Sequence, residues 1–218
     1  AALEKYSKTK NILDRANIAH IQAHFVSTLG RLSNEPLFKD VRTVQASDCS
    51  YSFAENFDDL ISFAASAFKC MTFRGVDFFF SPIRGGIGKG LVHVQDGGTL
   101  GKIPNFKFTS EIGIGMVEAA TLEKKGPKGM RLFVSTALQK QILQRFQKSF
   151  KATKDRDGKD ILEINWTHPD KHNTAYLNQS LKEGLVTDIL AKAGHSWLTQ
   201  GDKYQQNIGK SIIDLLNW

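Results

Sequence analysis

Cysteine is scarce in this sequence, with Cys49 and Cys70 as the two thiols in 218 residues. Two thiols are too few for a disulfide framework, and their spacing matches no metal-binding motif. Both lie in apolar-rich segments. We therefore expect two reduced thiols in or near a core, as is usual in the cytosol.

Long hydrophobic runs are equally absent. No apolar stretch reaches the roughly 20 residues that a membrane-spanning helix needs, and there is no leader with a basic start and a small-residue cleavage site. The sequence also contains no internal repeat and no low-complexity linker. These absences predict a cytoplasmic protein without a membrane partner.

What remains is an ordinary globular composition with a basic bias. Hydrophobic residues make up 41% of the chain, and 29 Lys and Arg against 22 Asp and Glu give a net charge of +7. The excess is partly clustered in Lys124–Lys128 and Lys148–Lys154, which is typical of a solvated face and also suits a polyanionic partner. Because aromatic residues are not interleaved with these cations as on a platform for single strands, nucleic acid is the less favoured partner.

The spacing of apolar residues predicts alternating helices and strands. Helices are predicted over residues 12–32, 55–71, 112–124, 137–150, 174–193 and 205–216. Strands are predicted over residues 40–47, 49–53, 83–94, 130–135 and 161–166. This alternation predicts an α/β (α+β) fold with helices flanking a mixed sheet. We expect a core over residues 1–136 and a C-terminal helical extension over residues 137–218 packed on it.

Two features of this pattern point to chemistry. Two β-prone runs flank Asp48 without a glycine turn, so this carboxylate is predicted at the tip of a tight strand-to-strand connection. Gly85, Gly86, Gly88 and Gly90 interrupt an apolar strand. Glycine at such positions indicates that another backbone or a ligand approaches closely.

Three segments between about Val41 and Ser135 resemble class III nucleotidyl cyclases. The sequence IRGGIGKG (residues 83–90) is similar to the family's hydrophobic-basic-x-Gly-Ile-x-x-Gly strand. The sequence IGIGMVEAATLE (residues 112–123) is similar to its glycine-initiated helix, and TVQASDC (residues 43–49) occupies the place of its metal-binding hairpin. Together they most resemble the pyrimidine cyclases of bacterial Pycsar anti-phage systems.

The resemblance implies a class III cyclase core and a specific reaction. The ribose 3′-hydroxyl of a pyrimidine nucleoside triphosphate, UTP in preference to CTP, attacks the α-phosphorus and displaces pyrophosphate. The 3′,5′-cyclic monophosphate then serves as a second messenger in anti-phage defence. Two divalent ions, Mg²⁺ or Mn²⁺, are implied, and the carboxylate of Asp48 is a suitable ligand for such hard ions. Family members build their active sites between two subunits, so a homodimer is implied as well.

Departures from the family pattern suggest which residues bind the substrate. Ordinary adenylate cyclases read the purine with a Lys before the hairpin Asp and an Asp before the later helix, and this chain has Val44 and Ser110 there. Standard purine recognition is therefore not expected. Tyr51, Ser110 and Lys89 are predicted to bind the substrate, although packing on the strand is the alternative role for Tyr51.

The family's helix also carries an Asn that contacts the ribose and an Arg that steadies the transition state. Depending on the register, these positions hold Val117 and Thr121 or Glu118 and Leu122. Neither register therefore has the Asn or the Arg. Either Glu118, Arg84 or Lys89 takes over these functions or the activity is altered. Asp48, Arg84 and Glu118 are the predicted catalytic residues.

The family's first metal-binding Asp is expected on a strand ahead of Ala1, because the chain opens with helix-like sequence. Asp14 and Asp40 are poor substitutes for it. Among the histidines, His20 and His24 have the spacing of a metal pair on a helix but no third ligand nearby. His93, in an apolar strand, is expected to be a core residue.

Two other interpretations remain open. A catalytically degenerate cyclase-like domain that binds a nucleotide or a partner would explain the replaced Asn and Arg and the missing first Asp. A basic nucleic-acid-binding domain would explain the charge alone.

Overall fold

A computed structural model describes residues 12–46, 49–72, 83–96, 109–142, 144–167, 191–192, 194–196, 198–199 and 202–218. The helices are α1 (Ile12–Ser33), α2 (Phe57–Thr72), α3 (Ile114–Lys125) and α4 (Lys203–Leu216). The strands are β1 (Arg42–Ala46), β2 (Cys49–Phe53), β3 (Gly85–Ile87), β4 (Val92–Asp96), β5 (Thr109–Gly113), β6 (Leu132–Val134), β7 (Phe150–Lys154) and β8 (Asp160–Ile164). Short 3₁₀ helices cover Pro36–Phe38, Thr136–Gln141 and Gln144–Ser149. The fold is α+β, as predicted.

The described strands pair in three groups. β1 and β2 form an antiparallel hairpin, and β4 and β5 form a second antiparallel pair. A four-stranded sheet has the order β3-β6-β8-β7. β3 runs parallel to β6 and the other neighbours are antiparallel, so this sheet is mixed, as predicted.

The chain divides into two compact units. Unit 1 comprises Ala1–Ile83, Lys128–Met130 and Asn165–Trp218, and unit 2 comprises Arg84–Pro127 and Arg131–Ile164. Unit 1 contains α1, α2, α4 and the β1–β2 hairpin, whereas unit 2 contains α3 and the other strands. The division after residue 136 stays a prediction; beyond it, the chain contributes β7 and β8 to unit 2 and α4 to unit 1.

The core of unit 1 lies between α1 and α2. Each of these helices has apolar residues at spacings of three and four, so each buries one stripe. The ring of Phe38 packs edge-on against Phe63, with 5.3 Å between centroids. This cluster also contains Leu29, Leu32, Val41, Ala67 and Cys70.

Hydrogen bonds hold α4 within unit 1. The backbone nitrogen of Met130 donates to Ser211 Oγ at 2.9 Å, and Asn165 Nδ2 donates to the carbonyl oxygen of Leu215 at 3.1 Å. Trp166, which is fully buried, donates from Nε1 to the carbonyl oxygen of Met130 at 3.4 Å. The helix predicted over residues 205–216 is therefore present and packed.

The prediction of a basic helix over residues 137–150 is wrong, because this segment forms 3₁₀ helices and leads into β7. That strand pairs with β8 along its whole length. The connecting turn is stabilised by Asp155 Oδ1, which accepts from the backbone N–H groups of Asp157 and Lys159, and by Gly158 at a φ of 80°. Strand pairing and turn chemistry outweigh the weak helical propensity of the basic run.

Other boundaries also differ from the predictions. The single strand predicted over residues 83–94 is two strands, β3 and β4, in different sheets, and β5 has no counterpart among the predicted strands. Cys70 is buried as expected, but Cys49 is exposed on β2. The helix predicted over residues 174–193 lies almost entirely outside the described residues. Within the described part of the chain, no helix combines the length and apolarity needed to cross a bilayer.

Candidate functional site

The β1–β2 hairpin brackets the predicted metal ligand. Its last pair on the connecting side is Ala46 with Cys49, so the predicted hairpin is present up to these two residues. Ser47 and Asp48 lie outside the described residues. The metal-binding role of Asp48 stays a prediction.

Tyr51 lies on β2 directly opposite Val44 on β1. Opposed residues of an antiparallel pair have side chains on the same face, with Cβ atoms about 4.5–5.5 Å apart. The predicted base contact is therefore a neighbour of the residue that stands in place of the purine-reading Lys. Tyr51 is half-buried, and this burial, reinforced by the Cys49 thiol, raises the pKa of its phenol.

The glycine-rich segment of unit 2 packs against the backbone of α3. A Cβ atom on Gly86 would overlap the carbonyl oxygen of Ala119, and one on Gly88 would lie 2.8 Å from the Ala119 nitrogen. A Cβ atom on Gly90 would lie 2.5 Å from the nitrogen of Gly115. The close approach that these glycines predict is therefore that of a helix backbone, and it explains them without a ligand.

Glu118 on α3 joins three elements of unit 2 through one carboxylate. Its Oε1 accepts a hydrogen bond from the hydroxyl of Ser135, just after β6, at 2.5 Å. Its Oε2 accepts from the backbone nitrogen of Lys89, just after β3, at 2.7 Å. Ser135 is buried and also accepts from the backbone nitrogen of Ala137, which caps the next 3₁₀ helix. We call Lys89, Glu118 and Ser135 the carboxylate clasp.

The exposed face of α3 offers few polar groups where the family has its Asn and Arg. Val117 is 66% exposed, and the hydroxyl of Thr121 donates back to the carbonyl oxygen of Val117 at 2.7 Å. In the other register, Glu118 belongs to the clasp and Leu122 is buried. Neither register therefore provides a pair of side chains with available donors.

Arg84 is engaged with the C-terminal end of α3. Its Nη2 donates to the carbonyl oxygen of Gly126 at 2.7 Å, and its Nε lies 3.8 Å from Glu123 Oε1. The guanidinium carbon lies 5.6 Å from the ring centroid of Phe133. The side chain is only 15% exposed, and burial lowers the pKa of the guanidinium against the opposing effect of Glu123. These contacts make Arg84 a C-terminal cap for α3, and its catalytic role stays a prediction.

The remaining predicted ligands are not brought into a described cluster. Ser110 lies on β5 opposite Gln95, and its side chain is outside the described residues, as is that of His20. His24 is buried, with its Nδ1 atom 3.4 Å from Thr28 Oγ1. Across the described ranges, no group of three or more His, Cys, Asp and Glu could hold a metal ion.

Of the predicted site residues, the structure brings Lys89 and Glu118 into direct contact. Arg84 lies just before β3 and contacts the end of α3 separately, and Tyr51 belongs to unit 1. Ser135 is a member of the clasp that sequence reasoning missed. The available signal was its place between a predicted strand and a predicted helix, where Ser is a favoured N-cap.

Comparison with models of protein families, with curated proteins and with solved structures found no match. The resemblance to class III cyclases therefore rests on the sequences of residues 43–49, 83–90 and 112–123.

Proposed function

We propose that this chain is a nucleotidyl cyclase that converts UTP, or CTP less readily, to the 3′,5′-cyclic monophosphate and pyrophosphate. The product would act as a second messenger in anti-phage defence, and the active form would be a homodimer. The observation that carries the proposal is the β1–β2 hairpin. Its strands close on either side of Ser47 and Asp48, where the resemblance requires a metal-binding carboxylate.

Lys89 supports the proposal as a candidate phosphate contact. The charge that develops on a leaving pyrophosphate needs cations or backbone amides. The clasp holds the backbone of Lys89 on Glu118, while the side chain of Lys89 is exposed. A cation on an anchored backbone is easier to position on a phosphate than one on a mobile loop.

The two ions that the resemblance implies, Mg²⁺ or Mn²⁺, are not accommodated by the described residues alone. Both oxygens of Glu118 already accept hydrogen bonds within the clasp, and the described part of the chain contains no cluster of metal-ligating side chains. The proposal therefore places metal binding on Asp48, outside the described residues.

The Val44–Tyr51 pair supports a pyrimidine as the base. An apolar Val cannot supply the hydrogen bond that a purine-reading Lys donates, and a specific polar contact of this kind contributes strongly to discrimination. The aromatic ring of Tyr51 directly across the hairpin can contact a smaller base. Together the two residues favour a uracil or cytosine ring over adenine.

The proposal is tested by incubating the protein with each of the four ribonucleoside triphosphates and Mn²⁺. Products are identified by mass spectrometry, and pyrophosphate is measured in parallel. We expect cyclic UMP as the main product, cyclic CMP as a minor one and neither cyclic purine nucleotide. No cyclic product from any nucleotide would contradict the cyclase, and cyclic AMP as the main product would contradict the base assignment alone.

A second candidate is a cyclase-like domain that binds a nucleotide without turning it over. It is favoured by the contacts that Arg84 and Glu118 make inside unit 2, which engage both oxygens of Glu118 and the Nη2 atom of Arg84. Under this hypothesis, UTP raises the thermal unfolding temperature but yields no cyclic product. An active cyclase requires both a rise in the unfolding temperature with UTP and a cyclic product.

A further inference from the structure

The positive charge of the chain is concentrated in one segment that begins directly after the cyclase-like helix motif. Residues 124–160 contain eleven Lys and Arg and three Asp, a net charge of +8. The other residues contain eighteen Lys and Arg against nineteen Asp and Glu, a net charge of −1. From Lys124 to Lys154 the sequence has nine cations and no Asp or Glu. Arg131 is buried in an ion pair with Glu163, just beyond this segment, so it does not contribute to the surface charge. The remaining surface excess has one sign and attracts polyanions.

Much of this segment belongs to unit 2, where parts of it form or contact β7 and β8. β7 is at the edge of that sheet, next to β8. The 3₁₀ helix Thr136–Gln141 contacts β8 and the 3₁₀ helix Gln144–Ser149 contacts β7. The β7–β8 turn meets the end of α3, because the backbone nitrogen of Arg156 donates to the carbonyl oxygen of Lys125 at 3.0 Å. Lys125 and Lys154 are exposed on these elements but are paired with Asp157 and Asp160. We call the other exposed cations on these elements the basic edge: Lys124, Lys140, Lys148, Arg156 and Lys159.

The three acidic residues of the segment do not neutralise the basic edge. Asp157 pairs with Lys125 and Asp160 pairs with Lys154, each at 2.5 Å. Asp155 accepts hydrogen bonds from backbone N–H groups of the turn. All five cations of the basic edge are exposed, and none makes an ion pair with a described residue.

The surroundings of these cations favour one class of polyanion. Of the aromatic side chains that the structure describes in residues 124–160, Phe133 is fully buried and Phe150 is half-buried, so these two form no exposed platform for stacking single-stranded bases. The side chain of Phe146 lies outside the described residues. Residues 124–160 contain no large exposed apolar side chain among those described, whereas a membrane-docking surface needs apolar groups that insert. Contacts to a phosphate backbone require only cations at the surface.

We propose that the basic edge binds the phosphate backbone of duplex nucleic acid without reading its sequence. The alternative role of these lysines is to keep the edge strand β7 from pairing with another sheet, a common protective use of Lys. That role requires no ligand. Binding measurements therefore separate the two.

The experiment measures binding of the whole protein, without nucleoside triphosphate, to a fluorescent 20-base-pair DNA duplex, an RNA duplex and the matching single strands. Vesicles of phosphatidylserine and phosphatidylcholine provide the membrane comparison. The test variant combines Lys124→Gln, Lys140→Gln and Lys148→Gln. The control combines Lys39→Gln, Lys203→Gln and Lys210→Gln, which removes the same charge from exposed positions in unit 1.

We expect tighter binding to duplexes than to single strands, with an affinity that falls as salt rises. The slope of log affinity against log salt should flatten by about 0.9 for each phosphate contact that the test variant loses on DNA, and the control should keep the wild-type slope. Equal weakening in both variants, no duplex binding at low salt, or a preference for vesicles would overturn the proposal. Cyclase activity is read separately, and the test variant should retain it.

Discussion

The hydroxyl of Ser135 donates to Glu118 Oε1 at 2.5 Å and ties the end of β6 to α3. The other oxygen of the same carboxylate accepts from the backbone nitrogen of Lys89 at 2.7 Å. Glu118 is a predicted catalytic residue, yet these contacts give it a structural role that can be measured without substrate.

The clasp predicts coupling between Ser135 and Glu118. Ser135→Ala removes a hydrogen-bond donor and a helix cap, so we expect the free energy of unfolding to fall by about 1–2 kcal/mol. In a double-mutant cycle with Glu118→Ala, which removes both acceptor oxygens, the two changes should couple by about 0.5–3 kcal/mol. Urea unfolding measures both quantities. Ser196→Ala, at an exposed position, serves as the control, and strictly additive effects would show that the clasp does not form in solution.

Two Gly→Ala changes should have opposite effects, one in the glycine-rich segment and one in α1. At Gly88 the added methyl group meets the backbone of α3, so we expect a loss of about 1–3 kcal/mol from overpacking. At Gly30, within α1, nothing lies within 4 Å of the new atom, and Ala should stabilise the helix by about 0.5–1 kcal/mol. Thermal unfolding compares the two. A Gly88→Ala protein as stable as wild type would mean that α3 does not approach this segment so closely.

These packing relationships show what the sequence could reveal about the fold. Helices α1 and α2 follow from their apolar stripes, and the β1–β2 hairpin follows from two β-prone runs around Asp48. The glycines at residues 85–90 correctly indicated a close approach. They do not distinguish a ligand from a helix as the approaching group, because either one requires a residue without a Cβ atom.

The errors in the sequence predictions have a common physical cause. β7 and the preceding 3₁₀ helices replace a predicted helix because the pairing of β7 with β8 is a long-range interaction that local spacing does not record. Likewise, the motif pattern could mark Arg84 as basic but could not reveal its contact with Gly126, which lies 42 residues away. Side-chain identity therefore predicted candidates for the site, whereas their partners depended on the fold.

We expect substitution of Arg84 to lower the stability of the protein, whether or not this residue takes part in catalysis. Lys keeps the positive charge but cannot reproduce the guanidinium contacts with Gly126 and Phe133. We expect Arg84→Lys to lower the free energy of unfolding by about 1.5–3 kcal/mol, the range for a hydrogen bond to a charged group. Arg42→Lys, at an exposed position on β1, is the matched control. A loss of cyclase product with unchanged unfolding would instead assign Arg84 to catalysis.

The two thiols should differ in reactivity. Burial raises the pKa of Cys70 from its ordinary value of 9.0 to about 12, whereas Cys49 is exposed. The unfolded chain releases the Cys70 proton at a lower pH than the folded chain does. The contribution of Cys70 to the free energy of unfolding is therefore at its full value below pH 9 and falls progressively as the pH rises toward 12. At pH 8 we expect a disulfide reagent to modify one thiol rapidly and the second only on unfolding.

Single substitutions assign these two phases. Cys49→Ser should remove the rapid phase, and Cys70→Ser should leave it intact. Modification of both thiols at the same rate in the folded protein would contradict the buried position of Cys70.

The most direct measurement of the central claim is the rate of cyclic UMP formation from UTP and Mn²⁺ by wild type, Asp48→Asn and Asp40→Asn. Asn keeps the size of the side chain and removes the charge that a divalent ion needs. We predict that Asp40→Asn, at an exposed position outside the hairpin, retains the wild-type rate. Asp48→Asn should lose more than the roughly 10–100-fold that removal of an outer-shell partner of a metal costs. Wild-type activity in Asp48→Asn would contradict the account.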